Sequence, residues 1–262
     1  MTERSVLSAR ELLVLAVVAA CAACSVQPVS RHDSNDSNDS GDDTPGMARD
    51  TVARINALTP DERAQGWRLL FDGRSTTGWR GYKRSDMPSG WTVVDSALTR
   101  TGDGGDIVSI DQFGNFELAI DWKVAPAANS GIMYRVAEGP DEAYMSGPEM
   151  QVLDDERHPD GQSRLTSAGA AYGLYPAPAG VVRPAGEWNG ARLVVNGTHV
   201  EHWLNGSRVV TYELGSPDWE QRVKRSKFAA WPTYGRASSG HIALQDHGDR
   251  VAFRNIKIRV LP

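Results

Sequence analysis

Phe116-Glu117-Leu118-Ala119-Ile120-Asp121-Trp122-Lys123-Val124 carries an apolar residue at every even position. Side chains alternate across a strand, so this run reads as a β-strand with one buried face, leaving Glu117, Asp121 and Lys123 on the other. The same period recurs outward from it. In Gly131 to Val136, Ile132, Tyr134 and Val136 share one face, and Met133 and Arg135 share the other. In Gly240 to His247, Ile242 and Leu244 oppose His241, Gln245 and His247. Asn196-Gly197 and Asn205-Gly206 lie between apolar runs and are two-residue hairpin signals. They make residues 188–213 a three-stranded meander with Trp188, Leu193, Val195, Trp203 and Val209 available for packing. Short antiparallel strands with one apolar face each predict an all-β fold, a sandwich of two sheets. One short helix is predicted ahead of it: Thr59 caps, Pro60 takes the first position, Glu62 completes a capping box and Gly66 ends the helix.

A second stretch, Gly147-Pro148-Glu149-Met150-Gln151-Val152-Leu153-Asp154, carries candidate chemistry. Met150 and Val152 suit a core, whereas Glu149 and Gln151 share the polar face. A bulge or the strand end would turn Asp154 toward Glu149. Two carboxyls with an amide between them are the minimum for acid/base work on a sugar. An ordinary solvated strand face remains the alternative at this point. The stretch from Asp155 to Ala185 is rich in Gly, Pro and Ala and has little periodicity, as functional loops often do.

The ends of the chain bound its class. Arg4 and Arg10 precede the apolar run Leu12 to Ala20, which is too short to span a bilayer as a helix. Val18-Ala19-Ala20-Cys21 resembles a bacterial lipoprotein box, so residues 1–24 are expected to be an export signal with Cys21 lipidated; Cys24 is a second candidate. Residues 25–48, with the repeat Asp33-Ser34-Asn35-Asp36-Ser37-Asn38-Asp39-Ser40, have no apolar surface to bury and are predicted to be a disordered tether. Residues 49–262 are then the folded domain. Both cysteines of the chain fall in the leader. The domain therefore has no disulfide, thiolate metal ligand or Cys nucleophile. The net charge is −5, of which residues 31–48, with five Asp and one Arg, hold −4. The domain is near neutral and has no basic stripe, which argues against a nucleic-acid partner.

Several elements in order carry a resemblance: Leu70-Phe71-Asp72-Gly73 with Gly78-Trp79; Asn129-Ser130-Gly131-Ile132 with Arg135; Glu149 to Asp154; Gly169-Ala170 with Tyr172; Gly186-Glu187-Trp188-Asn189; Leu204-Asn205-Gly206; and Gly240 to Gly248 with Phe253-Arg254-Asn255-Ile256. Over about residues 66–262 the chain resembles the bacterial 3-keto-disaccharide hydrolase family. The resemblance implies a concanavalin A-like jelly roll of two curved antiparallel sheets with a sugar groove on the concave face. It also implies export, and glycosides oxidised at C3 as substrates.

On such a substrate the ketone acidifies the C2 proton, and a base can remove it while the C1 substituent leaves. The candidates are Glu149 or His247 as base, Arg135 or Lys123 on the oxyanion, and Asp154 or Glu149 as acid. Gln151 and Asn129 would position hydroxyls, and Asp121, Tyr172 and Gln245 complete the candidate substrate contacts. A divalent metal held by His247, Glu149 and Asp154 is left open, since no local metal signature appears. Glu149 paired with Arg135 could equally be a structural ion pair. Two rival functions stand beside this one. One is a retaining glycosidase of the jelly-roll glucanase type, and the other is a non-catalytic sugar-binding lipoprotein.

Overall fold

The computed structural model describes residues 55–262. The expected leader and tether, and both candidate lipidation sites, Cys21 and Cys24, lie outside the described residues. Among the described residues no helix is long and apolar enough to cross a membrane.

The chain enters through helix α1, Pro60–Ala64. Thr59 Oγ1 accepts from the Glu62 N–H, and the Glu62 carboxylate accepts from the Thr59 N–H, which is the reciprocal cap expected from the sequence. Thirteen strands follow: β1 Arg68–Leu69, β2 Trp79–Gly81, β3 Trp91–Val94, β4 Ala97–Arg100, β5 Ile107–Phe113, β6 Phe116–Val124, β7 Asn129–Val136, β8 Glu149–Leu153, β9 Asn189–Asn196, β10 His199–Leu204, β11 Ser207–Glu213, β12 Gly240–Leu244 and β13 Val251–Val260. They form two antiparallel sheets, a sandwich consistent with the concanavalin A-like jelly roll. The larger sheet runs β11-β10-β9-β6-β13-β4-β3, with β1 also paired to β13. The smaller runs β2-β5-β12-β7-β8. The predicted meander is β9, β10 and β11, and its second turn places Asn205 and Gly206 both at positive φ, as a two-residue hairpin needs.

The main core lies between the sheets. Leu118, Ile120 and Trp122 from the larger sheet meet Ile132, Tyr134, Met150 and Val152 from the smaller, all essentially inaccessible to solvent. A second apolar cluster sits on the outer face of the smaller sheet: Val108, Met133, Val136, Ala143 and Ala243, with Tyr82 and Tyr144 packed on it. This part of the face is therefore covered by Tyr82, Ala143 and Tyr144.

A second helix, α2 (Pro217–Arg225), was not anticipated, though Ser216-Pro217-Asp218 is an ordinary start signal. Its Trp219 is fully buried and stacks between Tyr212 and Tyr234. The 3₁₀ turn that follows, Lys227–Ala230, is thereby set against the segment around Tyr144 and Tyr172.

Candidate functional site

Alternation fixes which side chains look outward from the smaller sheet. Ile107, Ile132, Leu244, Met150 and Val152 are core, so Val108, Met133, Ala243 and Glu149 are on the outer face. These four lie side by side, through the pairings Ala243 with Val108, Ala243 with Met133, and Met133 with Glu149. Continuing the alternation in each strand gives the next row across the sheet: Asp106, Gln245, Gly131 and Gln151. Gly131 is opposite Gln151 in the register, and the Gln245 N–H donates to the Gly131 carbonyl.

Gly131, which has no side chain, leaves a recess in this row. A Cβ there would meet Glu149 Oε1 at 2.2 Å and Cδ at 2.7 Å. The Glu149 side chain thus lies across the glycine, in space that any other residue would fill. Glu149 is only 5% exposed. Burial pushes its carboxyl up to about 8; the Lys227 ammonium opposes that, and the charges of Asp106 and Asp160 add to it. Burial likewise pushes Asp106 up to about 7, against the hydrogen bond that its Oδ1 accepts from the Asp246 N–H at 2.8 Å. Two carboxyls on one face thus titrate near neutral pH.

Gln151 is fully buried, and neither its Oε1 nor its Nε2 has a partner; the buried Asn129 Oδ1 is also unpartnered. A buried amide left without hydrogen bonds costs about 1–3 kcal/mol. Polar groups held at that cost beside two acids are ready for a polar ligand.

The aperiodic loop supplies the wall. Residues 169–172 run beside β8: the Gly169 N–H donates to the Gln151 carbonyl at 2.9 Å, the Gln151 N–H to the Ala170 carbonyl at 3.1 Å, and the Tyr172 N–H to the Glu149 carbonyl at 3.1 Å. Gly169 takes φ +84°, which the turn into this pairing requires. Tyr172 is thereby set next to Glu149, and its Oη donates to Asp160 Oδ2 at 3.1 Å. Lys227 Nζ sits 4.5 Å from the Tyr172 ring centroid and 5.3 Å from that of Tyr144. Trp231 packs edge-on against Tyr144, with centroids 5.3 Å apart. His247 is exposed and meets His158 edge-on at 6.5 Å.

Of the residues expected from the sequence, Glu149, Gln151, Gln245 and Tyr172 come together. Asn129 begins the same strand as Gly131, and His247 lies two residues beyond Gln245. Four others are placed elsewhere. Arg135 was expected on the face of Met133, but it occupies a bulge with φ +50°, opposite the register shift in β12, and Val136 takes the outer face instead. Its guanidinium donates to the carbonyls of Gly114 at 3.0 Å and Gly197 at 2.9 Å, so the pairing with Glu149 is not made. Asp154 caps backbone: Oδ2 accepts from the Ala127 N–H at 2.7 Å and Oδ1 from the Glu156 N–H at 3.2 Å. Lys123 and Asp121 belong to β6 in the other sheet. Lys123 Nζ lies over Trp188 at 4.8 Å, and Asp121 accepts from Asn255 Nδ2 at 2.7 Å. The retaining pair of Glu149 with Asp154 is therefore not assembled, and neither is the metal set of those two with His247. Among the described residues no three His, Cys, Asp or Glu side chains converge as a metal site needs.

Among Trp79, Trp91, Trp188 and Trp231, the first two are core, Trp188 lies with Lys123 and Arg254, and Trp231 stands beside Tyr144. Sequence reasoning missed Asp106, Asp160 and Lys227. Asp106 had a usable signal, since it shares the period-two face of Val108; Lys227 had none.

An acid pair and free amides over one sheet of a two-sheet sandwich suit a carbohydrate-active enzyme, and comparison with known proteins supports that class. Residues 66–259 match the family described as 3-keto-alpha-glucoside-1,2-lyase-like domain, and the chain belongs to that family. It is 36% identical to a 3-keto-disaccharide hydrolase of Bacteroides thetaiotaomicron over 241 residues, 80% of this chain and 83% of that one. A candidate glycosyl hydrolase from Parabacteroides distasonis, solved by crystallography, superimposes with a TM-score of 0.75 at 36% identity, over 80% of this chain and all of that one. A second from the same organism gives 0.59 at 31% identity, over 74% of this chain and 99% of its own.

Proposed function

We propose that the chain cleaves the glycosidic bond of 3-keto glycosides by elimination followed by hydration. The observation that carries this reading is the Glu149 carboxyl, buried over Gly131 and protonated at neutral pH, with the Asp106 carboxyl on the same face. In the first half, the Asp106 carboxylate takes the C2 proton. The C2–H electron pair moves onto the C3 ketone oxygen as an enolate; it then returns to restore the ketone and form C1=C2 as the C1–O bond breaks, and Glu149 gives its proton to the leaving oxygen. In the second half, water adds across C1=C2. Its hydroxyl goes to C1 and a proton returns to C2 from Asp106, while Glu149 recovers its own from the water. Both carboxyls end as they began, and the net change is hydrolysis. Gln151 and Asn129 offer amide donors and acceptors to the ring hydroxyls, and Tyr172 with Trp231 offers aromatic surface to a sugar face.

The test is to offer the full-length protein a disaccharide and its 3-keto form in deuterated water. Only the 3-keto form should be cleaved, with deuterium appearing at C2 of the released keto sugar as the Asp106 carboxyl exchanges its proton with solvent between the two halves. Cleavage of the unoxidised disaccharide at a comparable rate, without deuterium at C2, would instead identify a direct glycosidase. Binding without turnover of either would identify a lectin.

We also propose that the protein is exported and lipid-anchored through Cys21. The support is the Val18-Ala19-Ala20-Cys21 box followed by a polar tether. The full-length protein should partition into detergent with membranes, and Cys21→Ser should remain uncleaved precursor or become soluble. A Cys21→Ser protein that is still lipidated would move the anchor to Cys24.

A further inference from the structure

The proposed reaction builds negative charge on the ketone oxygen as the C2 proton leaves, and the two cations expected to meet it, Arg135 and Lys123, are committed elsewhere. One other cation faces the recess. Lys227 comes from the turn behind α2, far in sequence from both acids. Its Nζ contacts three aromatic rings: Tyr172 at 4.5 Å, Tyr144 at 5.3 Å and Phe228 at 5.3 Å. Among the described residues it has no carboxylate within ion-pair distance. Rings hold an ammonium by the electrostatics of their faces and accept no conventional hydrogen bond, so its N–H donors remain available to a ligand. Its position is nonetheless set from three directions. Tyr172 is fixed by pairing to β8, Tyr144 by its place against Trp231, and Phe228 by stacking on Tyr234 at 4.0 Å.

We propose that Lys227 is the electrophilic residue of this site, its ammonium donating to the C3 oxygen of the bound 3-keto sugar and stabilising the enolate that forms there. The role rests on the reaction proposed above. Lys227 is solvent-exposed, and the rings restrict where its ammonium can go, so part of the cost of placing a charge at the developing oxyanion is met before the proton moves. Tyr172 and Tyr144 face the ammonium directly. Its charge also acts on Glu149 of β8, as do those of Asp106 across the sheet and Asp160 from the loop after β8. With Glu149 protonated near neutral pH, the ammonium is free to serve the substrate rather than to neutralise that carboxylate.

The test uses Lys227→Met, which keeps the aliphatic stem against the rings and removes the charge, and Lys227→Arg, which keeps the charge. On a 3-keto disaccharide, Lys227→Met should lower kcat by about a hundredfold or more, the scale of one lost oxyanion donor, with a small effect on KM. Lys227→Arg should recover part of the loss. A kcat for Lys227→Met close to the parent's would overturn the proposal and leave the elimination reading intact. A substrate-free measurement keeps the two apart. The Glu149 carboxyl, followed by carbon-13 NMR in the full-length protein, should titrate at higher pH in Lys227→Met than in the parent. If it titrates unchanged, the ammonium does not face the acid and the proposal fails whatever the substrate proves to be.

Discussion

Glu149→Gln is expected to fold as the parent does and to turn over a 3-keto glycoside about a hundredfold more slowly or worse, the usual scale for losing a general acid. The exchange is nearly isosteric, so the contact over Gly131 is kept while the transferable proton is lost. A second readout separates catalysis from packing. Burial raises this carboxyl from its ordinary 4.5 to about 8. Between those values the folded chain holds a proton that the unfolded chain has released, so protonation favours the fold. The contribution of Glu149 to stability is therefore most favourable below about pH 4.5 and declines as the pH rises through 8. Gln does not titrate. The stability of Glu149→Gln should gain on the parent's from pH 5 to about pH 8, reaching the order of a few kcal/mol, and then level off toward pH 9, with the thermal midpoint following. Melting curves across that range, with rates on the same samples, check both halves. A variant turning over substrate near the parent rate would make β8 structural and move the search to His247 and residues 155–185.

Asp106→Asn should also cost about a hundredfold or more in kcat, through loss of the base that takes the C2 proton. Catalysis needs Asp106 ionised and Glu149 protonated. The parent's rate should thus follow a narrow bell, with one limb near 7 and the other near 8. The charge of Asp106 is among the groups that raise Glu149. Removing it makes Glu149 easier to ionise, so the alkaline limb of the residual activity should move to lower pH. The double variant should lose less than the product of the two single losses, because both acids serve one elimination. Measured pH–rate profiles of the three variants decide the matter. An Asp106→Asn enzyme with the parent's rate and the parent's alkaline limb would take Asp106 out of the reaction.

The two acids differ in how they could be found. Glu149 was visible because β8 alternates and places it opposite Met150 and Val152, which are core. Asp106 shares that property with respect to Ile107, but it stands one residue ahead of its strand, where Gly104 and Gly105 interrupt the pattern. Tyr172 was found only through a resemblance. The physical reason for its place is the pairing of residues 169–172 with β8, which no periodicity announces. Arg135 was misplaced because alternation fails at a bulge, and a positive φ at an arginine has no sequence signal.

By itself the sequence determined the strands, the two-sheet class, the helix cap and the hairpins, because each depends on neighbours within a few residues: period two, a capping box, an Asn-Gly turn. It also determined that the described domain contains no cysteine chemistry. It could not determine which sheet a strand joins, since the polar faces of β6 and β8 are equally alternating. The tertiary structure put Glu117 and Asp121 of β6 on the larger sheet among Arg192, Arg259 and Asn255, and Glu149 of β8 on the smaller. It alone brought residues 106, 149, 172 and 227 to one recess. Those four are separated by dozens of residues of chain, and a strand's period carries no information about what another segment will lay against its face.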